Sequence, residues 1–180
     1  MRRVVSVLLA ATLAVFVGAS AASAQSATMF ASSSTSLHFA LPEGWVLANP
    51  PSFQRPVIDA GLAVLPGQSR AASVIVTQLK ADVSGMSMDD YKAALDGVSA
   101  NNGLLLSSNV QHIPSAASPT GEWVGVLQVL SIMRDGETYE HVQFIVPMAD
   151  REYTIGVTGQ PGSTEASANT VGFIAATLAP

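Results

Sequence analysis

Residues 122–158 read EWVGVLQVLSIMRDGETYEHVQFIVPMADREYTIGVT, and the fold class follows from them. Two long β-prone runs, 122–133 and 137–146, are joined by Arg134-Asp135-Gly136, where Asp-Gly supplies the positive-φ positions of a tight hairpin turn. In the second run Val142, Phe144 and Val146 share one face while His141, Gln143 and Ile145 share the other. One face is wholly apolar and must look into a core. Asp150-Arg151 makes another short turn into 152–158, where Tyr153, Ile155 and Val157 alternate with Thr154, Gly156 and Thr158. The product is a three-stranded antiparallel meander.

Working upstream, residues 104–113 form a further strand, followed by the loop Pro114 to Pro119. Ser87 opens a helix: its hydroxyl caps the first amides, Asp89 and Asp90 sit in the first turn where the dipole favours negative charge, and Tyr91, Leu95 and Val98 fall on one face. Gly103 ends that helix. Residues 58–65 and 72–80 are two strands separated by Pro66-Gly67-Gln68-Ser69. Residues 37–41 alternate at period two and turn through Pro42-Glu43-Gly44 into Trp45-Val46-Leu47, a pattern that predicts a hairpin. Asn49-Pro50-Pro51 and Arg55-Pro56 make the next stretch an extended loop. Downstream, Ser163, Thr164 and Glu165 start a closing helix whose Val171, Ile174, Ala175 and Leu178 make an apolar stripe. Short connections impose antiparallel pairing. The fold class is therefore α+β: an antiparallel sheet of about six or seven strands covered by one helix inserted midway and one at the C-terminus.

The beginning of the chain is of a different kind. Residues 1–24 carry Arg2 and Arg3, then an apolar run over 4–17, then small residues ending Ala22-Ser23-Ala24. That order is a secretory signal, with cleavage before Gln25 by the general route. Residues 25–36 are rich in Ser, Ala and Thr with no period and read as a flexible linker, leaving 37–180 as a single domain. All 13 acidic residues but only six of the eight basic ones lie beyond Ala24, so the processed chain has a net charge of −7. An acidic chain without a Lys/Arg cluster lacks the footprint of a nucleic-acid or anionic-lipid binder. No second apolar run is long enough to anchor it after cleavage. Cysteine is absent, which removes a thiol nucleophile, a zinc-thiolate site and a lipid-modified Cys. There is no internal repeat or heptad array.

The order of elements resembles the PsbP/DcrB-like superfamily. The residues that carry the likeness are Phe39-Ala-Leu-Pro-Glu-Gly-Trp45, the helix opened by Ser87, the hairpin with Asp135-Gly136 at its tip, Tyr153-x-Ile-x-Val157, and Phe173-Ile-Ala-Ala-Thr-Leu178. The resemblance spans nearly all of the chain after the signal and implies an α-β-α sandwich. The superfamily includes a photosystem II extrinsic subunit, a nuclear Ran-binding factor, and bacterial envelope proteins and lipoproteins. They share a fold and not a reaction, so no activity and no site residue carries over.

Local catalytic signatures are missing: there is no Gly-x-Ser-x-Gly, Ser-x-x-Lys, His-Glu-x-x-His or phosphate-binding loop. His38, His112 and His141 all fall on predicted strands, where three imidazoles can ligate zinc or copper or simply stand apart at surfaces and edges. Trp45 and Trp123, with Phe53 and Arg55 in the proline-rich loop, are the candidate ligand- or partner-binding residues. Each tryptophan also suits a core edge. Asp89-Asp90 fits a helix start better than an acid–base pair. Met86, Met88, Met133 and Met148 are the soft ligands a copper(I) site would draw on, and equally gap-fillers. The leading functional reading is an exported, soluble, non-catalytic accessory module that binds another envelope protein through loops 49–56 and 114–119 or a sheet edge, without a cofactor. Its alternatives are a small periplasmic enzyme or enzyme inhibitor with a site assembled in three dimensions, and a periplasmic zinc or copper binder.

Overall fold

The computed structural model describes residues 27–32, 36–48, 57–79, 82–148 and 150–180. Along the chain they form β1 (Thr28–Ala31), β2 (His38–Leu41), β3 (Val46–Ala48), β4 (Val57–Leu65), β5 (Arg70–Gln78), α1 (Met88–Asn101), β6 (Leu105–Pro114), β7 (Glu122–Arg134), β8 (Glu137–Met148), β9 (Arg151–Gly159) and α2 (Thr164–Thr177). Seven strands make one antiparallel sheet in the order β3-β4-β5-β9-β8-β7-β6, and β1 and β2 pair separately. Asp135 and Gly136 hold φ of 55° and 83°, the two left-handed positions that let β7 and β8 pair from Arg134↔Glu137 onward.

The pleat divides the sheet into two unlike faces. Val142, Phe144, Val146, Tyr153, Ile155 and Val157 all point one way and are buried, and α2 covers them with Val171, Ile174, Ala175 and Leu178. Their neighbours in sequence point the other way, where α1 lies across β6 and β7 with Tyr91 against Val126 and Ile145. The two helices therefore sandwich the sheet, as the α-β-α expectation requires.

Two local expectations are corrected. Residues 37–41 and 45–47 do not pair as a hairpin: β2 pairs with β1, and β3 with β4. Phe39, Ala40 and Leu41 are buried in succession, so β2 needs cover on both sides and lies in the α2 layer instead of at the sheet edge. There the Ala40 amide donates to Thr177 Oγ1 at 3.0 Å, and His38 exchanges backbone hydrogen bonds with Ala179. The Ser-rich lead also contributes a strand, because Phe30 of β1 stacks on Phe39 with centroids 4.8 Å apart.

The two helix starts solve one problem differently. Ser87 caps α1 by accepting from the Asp90 amide at 3.1 Å. Ser163 makes no such bond at α2, and the Glu140 carboxylate of β8 takes its place, accepting from Thr164 Oγ1 at 2.5 Å. That bond, with the amides of Gly162, Thr164 and Ser163, holds the Glu140 carboxyl below the usual carboxylate range against a small opposing effect of burial.

Candidate functional site

Polar side chains gather in two places. The first is the α1 face of the sheet, where strand register aligns Ser108, Gln128, Gln143, Gly156 and Ser73 in one row across five strands. Gln128 is buried, and its Nε2 donates to Asp96 Oδ1 of α1 at 2.8 Å. Its Oε1 accepts from Gln143 Nε2 at 2.9 Å and from Ser99 Oγ at 3.4 Å. Burial pushes the Asp96 carboxyl up, but hydrogen bonds from Lys92 and Gln128, the nearby Ser108 hydroxyl and the Lys92 charge together bring it below its ordinary value. The Lys92 ammonium lies 2.6 Å from Asp96 Oδ2. Because α1 turns Asp96 and Ser99 toward the sheet, Val98 is left outward and 64% exposed, not buried with Tyr91 as its spacing suggests.

His141 lies in the next row, its Nδ1 2.8 Å from Thr158 Oγ1. The imidazole rests over Gly156, where a Cβ would come within 2.6 Å of its Cε1, so a larger residue there would have to push the ring aside. Burial lowers the His141 pKa, with a hydrogen bond to Gln143 opposing it. Farther along the same face Tyr91 donates its hydroxyl to Glu152 Oε2, and Thr154 Oγ1 donates to Glu152 Oε1 at 3.2 Å. Burial, then the Glu152 hydrogen bond and charge, drive the Tyr91 hydroxyl far above its ordinary pKa.

A histidine, carboxylates and hydroxyls thus share one face, but they are not wired for proton transfer. Two glutamine amides separate Asp96 from His141, and an amide does not titrate. Thr158 bonds the imidazole, while Glu152 is engaged by Tyr91 and Thr154. A general base needs an orienting group on one side and a reacting hydroxyl on the other. This network ties α1 to the sheet.

The second place is the end of the sandwich where the β4–β5 turn meets the β9–α2 loop. Residues 67–70 and 160–163 line a cavity of about 410 Å3 there. Arg70 is its one charged lining residue, and the guanidinium lies over the Trp45 ring, 5.7 Å from the centroid. Its Nε and Nη2 are buried with no hydrogen-bond partner, and so is Ser163 Oγ. Leaving such a donor unpaired costs about 1–3 kcal/mol. The α2 amides are not the missing partner's site, since Glu140 already occupies them.

The residues singled out in the sequence are dispersed. Trp45 and Trp123 are each only 4% exposed, Trp45 beneath Arg70 and Trp123 with its indole Nε1 unpartnered. Phe53, Arg55 and the rest of loop 49–56 lie outside the described residues. Loop 114–119 is tied down: Ser115 Oγ donates to the Ala176 carbonyl at 3.0 Å, and Ser118 Oγ donates to the Glu122 carbonyl. The histidines stay apart, His38 bonded to the Ser36 carbonyl and His112 to Glu122 at 3.1 Å. Among the described residues no three His, Cys, Asp or Glu side chains converge on a metal position. Met88 and Met148 pack against different clusters, while Met86 and Met133 are exposed. Arg70 and Ser163 were not among the candidates. The only signal for Arg70 was a lone cation directly after a Pro-Gly turn, and its pairing with Trp45 crosses 25 positions of sequence.

No protein-family model matches the chain, and no curated protein matches it in sequence. Solved structures do match in shape. A crystal structure from Bacteroides thetaiotaomicron superposes with a TM-score of 0.56 at 12% identity over 83% of this chain, which spans about half of that one, 47%. The solution structure of cyanobacterial PsbP (CyanoP) from Synechocystis gives 0.55 at 10% identity, covering 84% of this chain and 91% of that one. LpqN of Mycobacterium tuberculosis, described as involved in cell envelope biogenesis, gives 0.47 at 15% identity over 87% of each chain. With its helices on opposite faces of one antiparallel sheet and its superposition on CyanoP over 84% of this chain, the chain has the PsbP-like α+β fold.

Proposed function

We propose that this chain is an exported, non-catalytic accessory module of the cell envelope, which works by holding another envelope protein at the end of the sandwich built from residues 67–70 and 160–163. The observation that carries this reading is Arg70, braced by Trp45 beside a cavity, with its Nε and Nη2 buried and without a partner. Ser108, Trp123 and Ser167 also keep a buried polar atom unpaired, but among the described residues only Arg70 joins unpaired donors to a charge and to a cavity. Export is supported by residues 1–24, which lie outside the described residues. Among the described residues, no helix is long and apolar enough to cross a membrane.

The test is capture from envelope extract by the protein lacking residues 1–24, with mass spectrometry of what co-purifies, run beside an Arg70→Met variant. A stoichiometric partner held by the first and lost by the second is the expected result. Equal capture by both would remove the cavity from the reading. An empty capture together with turnover in a hydrolase panel would replace the module by an enzyme.

A further inference from the structure

We infer that the cavity between the β4–β5 turn and the β9–α2 loop is a carboxylate-binding site, with Arg70 as its cation and Ser163 as a neutral donor; this rests on the reading above that this end of the molecule is the binding end. The donors are already in place. Arg70 Nε and Nη2 are two arms of one planar fork, both buried and both unpartnered, and such a fork matches the two oxygens of a carboxylate in a bidentate pair. The Ser163 hydroxyl beside the cavity is likewise unpartnered. Trp45 holds the guanidinium from below, which limits the conformational freedom it loses when a ligand arrives.

Charge decides which anion fits. Arg70 is the one charged residue lining the cavity, and the remaining lining residues are glycine, proline, serine and glutamine. A monoanion is matched by a single cation, whereas a phosphate dianion calls for a cluster of them or for free helix amides. The nearest helix amides are closed by Glu140. The cavity volume of about 410 Å3 is within the range of small-molecule sites, so the carboxylate arrives on a larger body: a small organic acid or the C-terminal residue of a polypeptide.

The test follows the Arg70 Nε–H resonance of the protein lacking residues 1–24 during titration with sodium acetate and with sodium sulfate at matched ionic strength. Acetate is expected to move it saturably, with apparent affinity at least tenfold above that of sulfate. Arg70→Met is expected to abolish saturable acetate binding, read by calorimetry, with a thermal midpoint no lower than that of the unsubstituted protein. A short peptide with a free C-terminus, the same peptide amidated, and succinate then separate the two sources: preference for the free-ended peptide assigns a chain end, and preference for succinate a small acid. No saturable shift with acetate, or a preference for sulfate, overturns the inference. If the envelope partner is still captured through Arg70 in that case, the binding end stands and only its ligand class falls. If acetate binds but Arg70→Met captures the partner unchanged, the reverse holds.

Discussion

Two groups of polar side chains lie on the same scaffold and differ in how they are satisfied. On the α1 face, Lys92, Asp96, Ser99, Gln128 and Gln143 bond to one another in an unbroken chain, with a buried glutamine at its centre. At the end of the sandwich, Arg70 and Ser163 have buried polar atoms that bond to nothing. Both groups place hydrogen-bonding atoms away from water, where pairing decides whether they stabilise or cost. A closed set is architecture. Single neutral atoms are left over elsewhere too, at Ser108, Trp123 and Ser167, so what marks the end of the sandwich is that its unpaired donors belong to a charged fork beside a cavity.

Substitutions separate the two groups. Gln128→Ala should have the largest effect on stability, lowering the unfolding free energy by about 2–3 kcal/mol, because Asp96, Ser99 and Gln143 each lose a bond inside the fold. Urea unfolding measures this, and a loss below about 1 kcal/mol would show that the row is not the structural tie described. Ser87→Ala should cost about 1 kcal/mol by removing the α1 cap. Ser163→Ala should stay within about 0.5 kcal/mol, since Glu140 and not Ser163 closes the start of α2. Comparable losses in those two variants would contradict the assignment of the caps.

Acid provides a third contrast. The folded-state pKa of His141 is depressed by burial, so below about pH 6.5 the unfolded chain binds a proton that the folded chain resists. Stability from this residue is therefore present above that pH and is lost as pH falls toward and through the folded value. The difference in unfolding midpoint between neutral and mildly acidic buffer should shrink in His141→Gln, and an unchanged difference would locate the acid sensitivity elsewhere. The smallest loss of stability is expected at Arg70→Met, which should unfold at the same or a slightly higher urea concentration, because the stacking on Trp45 that it gives up is offset by removing two unpaired buried donors.

The meander was legible because its evidence is local. Asp135-Gly136 dictates a turn, and alternation around Phe144 and Ile155 names the buried face without knowledge of the rest of the chain. The capping of α1 by Ser87 was legible for the same reason. Residues 37–41 show where that ends: their alternation identified a strand, but only the burial of Phe39, Ala40 and Leu41 together reveals that it belongs to the helix layer. Register hides the α1-face row in the same way, since Gln128 and Gln143 meet only after β7 and β8 pair. The cavity was the least legible feature. Trp45 stands out in the sequence as an aromatic and Arg70 does not, although their contact is what braces the guanidinium.

The division between a closed scaffold and an open end is tested most directly by hydrogen–deuterium exchange on the protein alone and bound to the partner it captures. Protection is expected to rise at residues 67–70 and 160–163 and to stay unchanged at Gln128, Gln143 and His141. Protection gained on the α1 face, with none around Arg70, would contradict it.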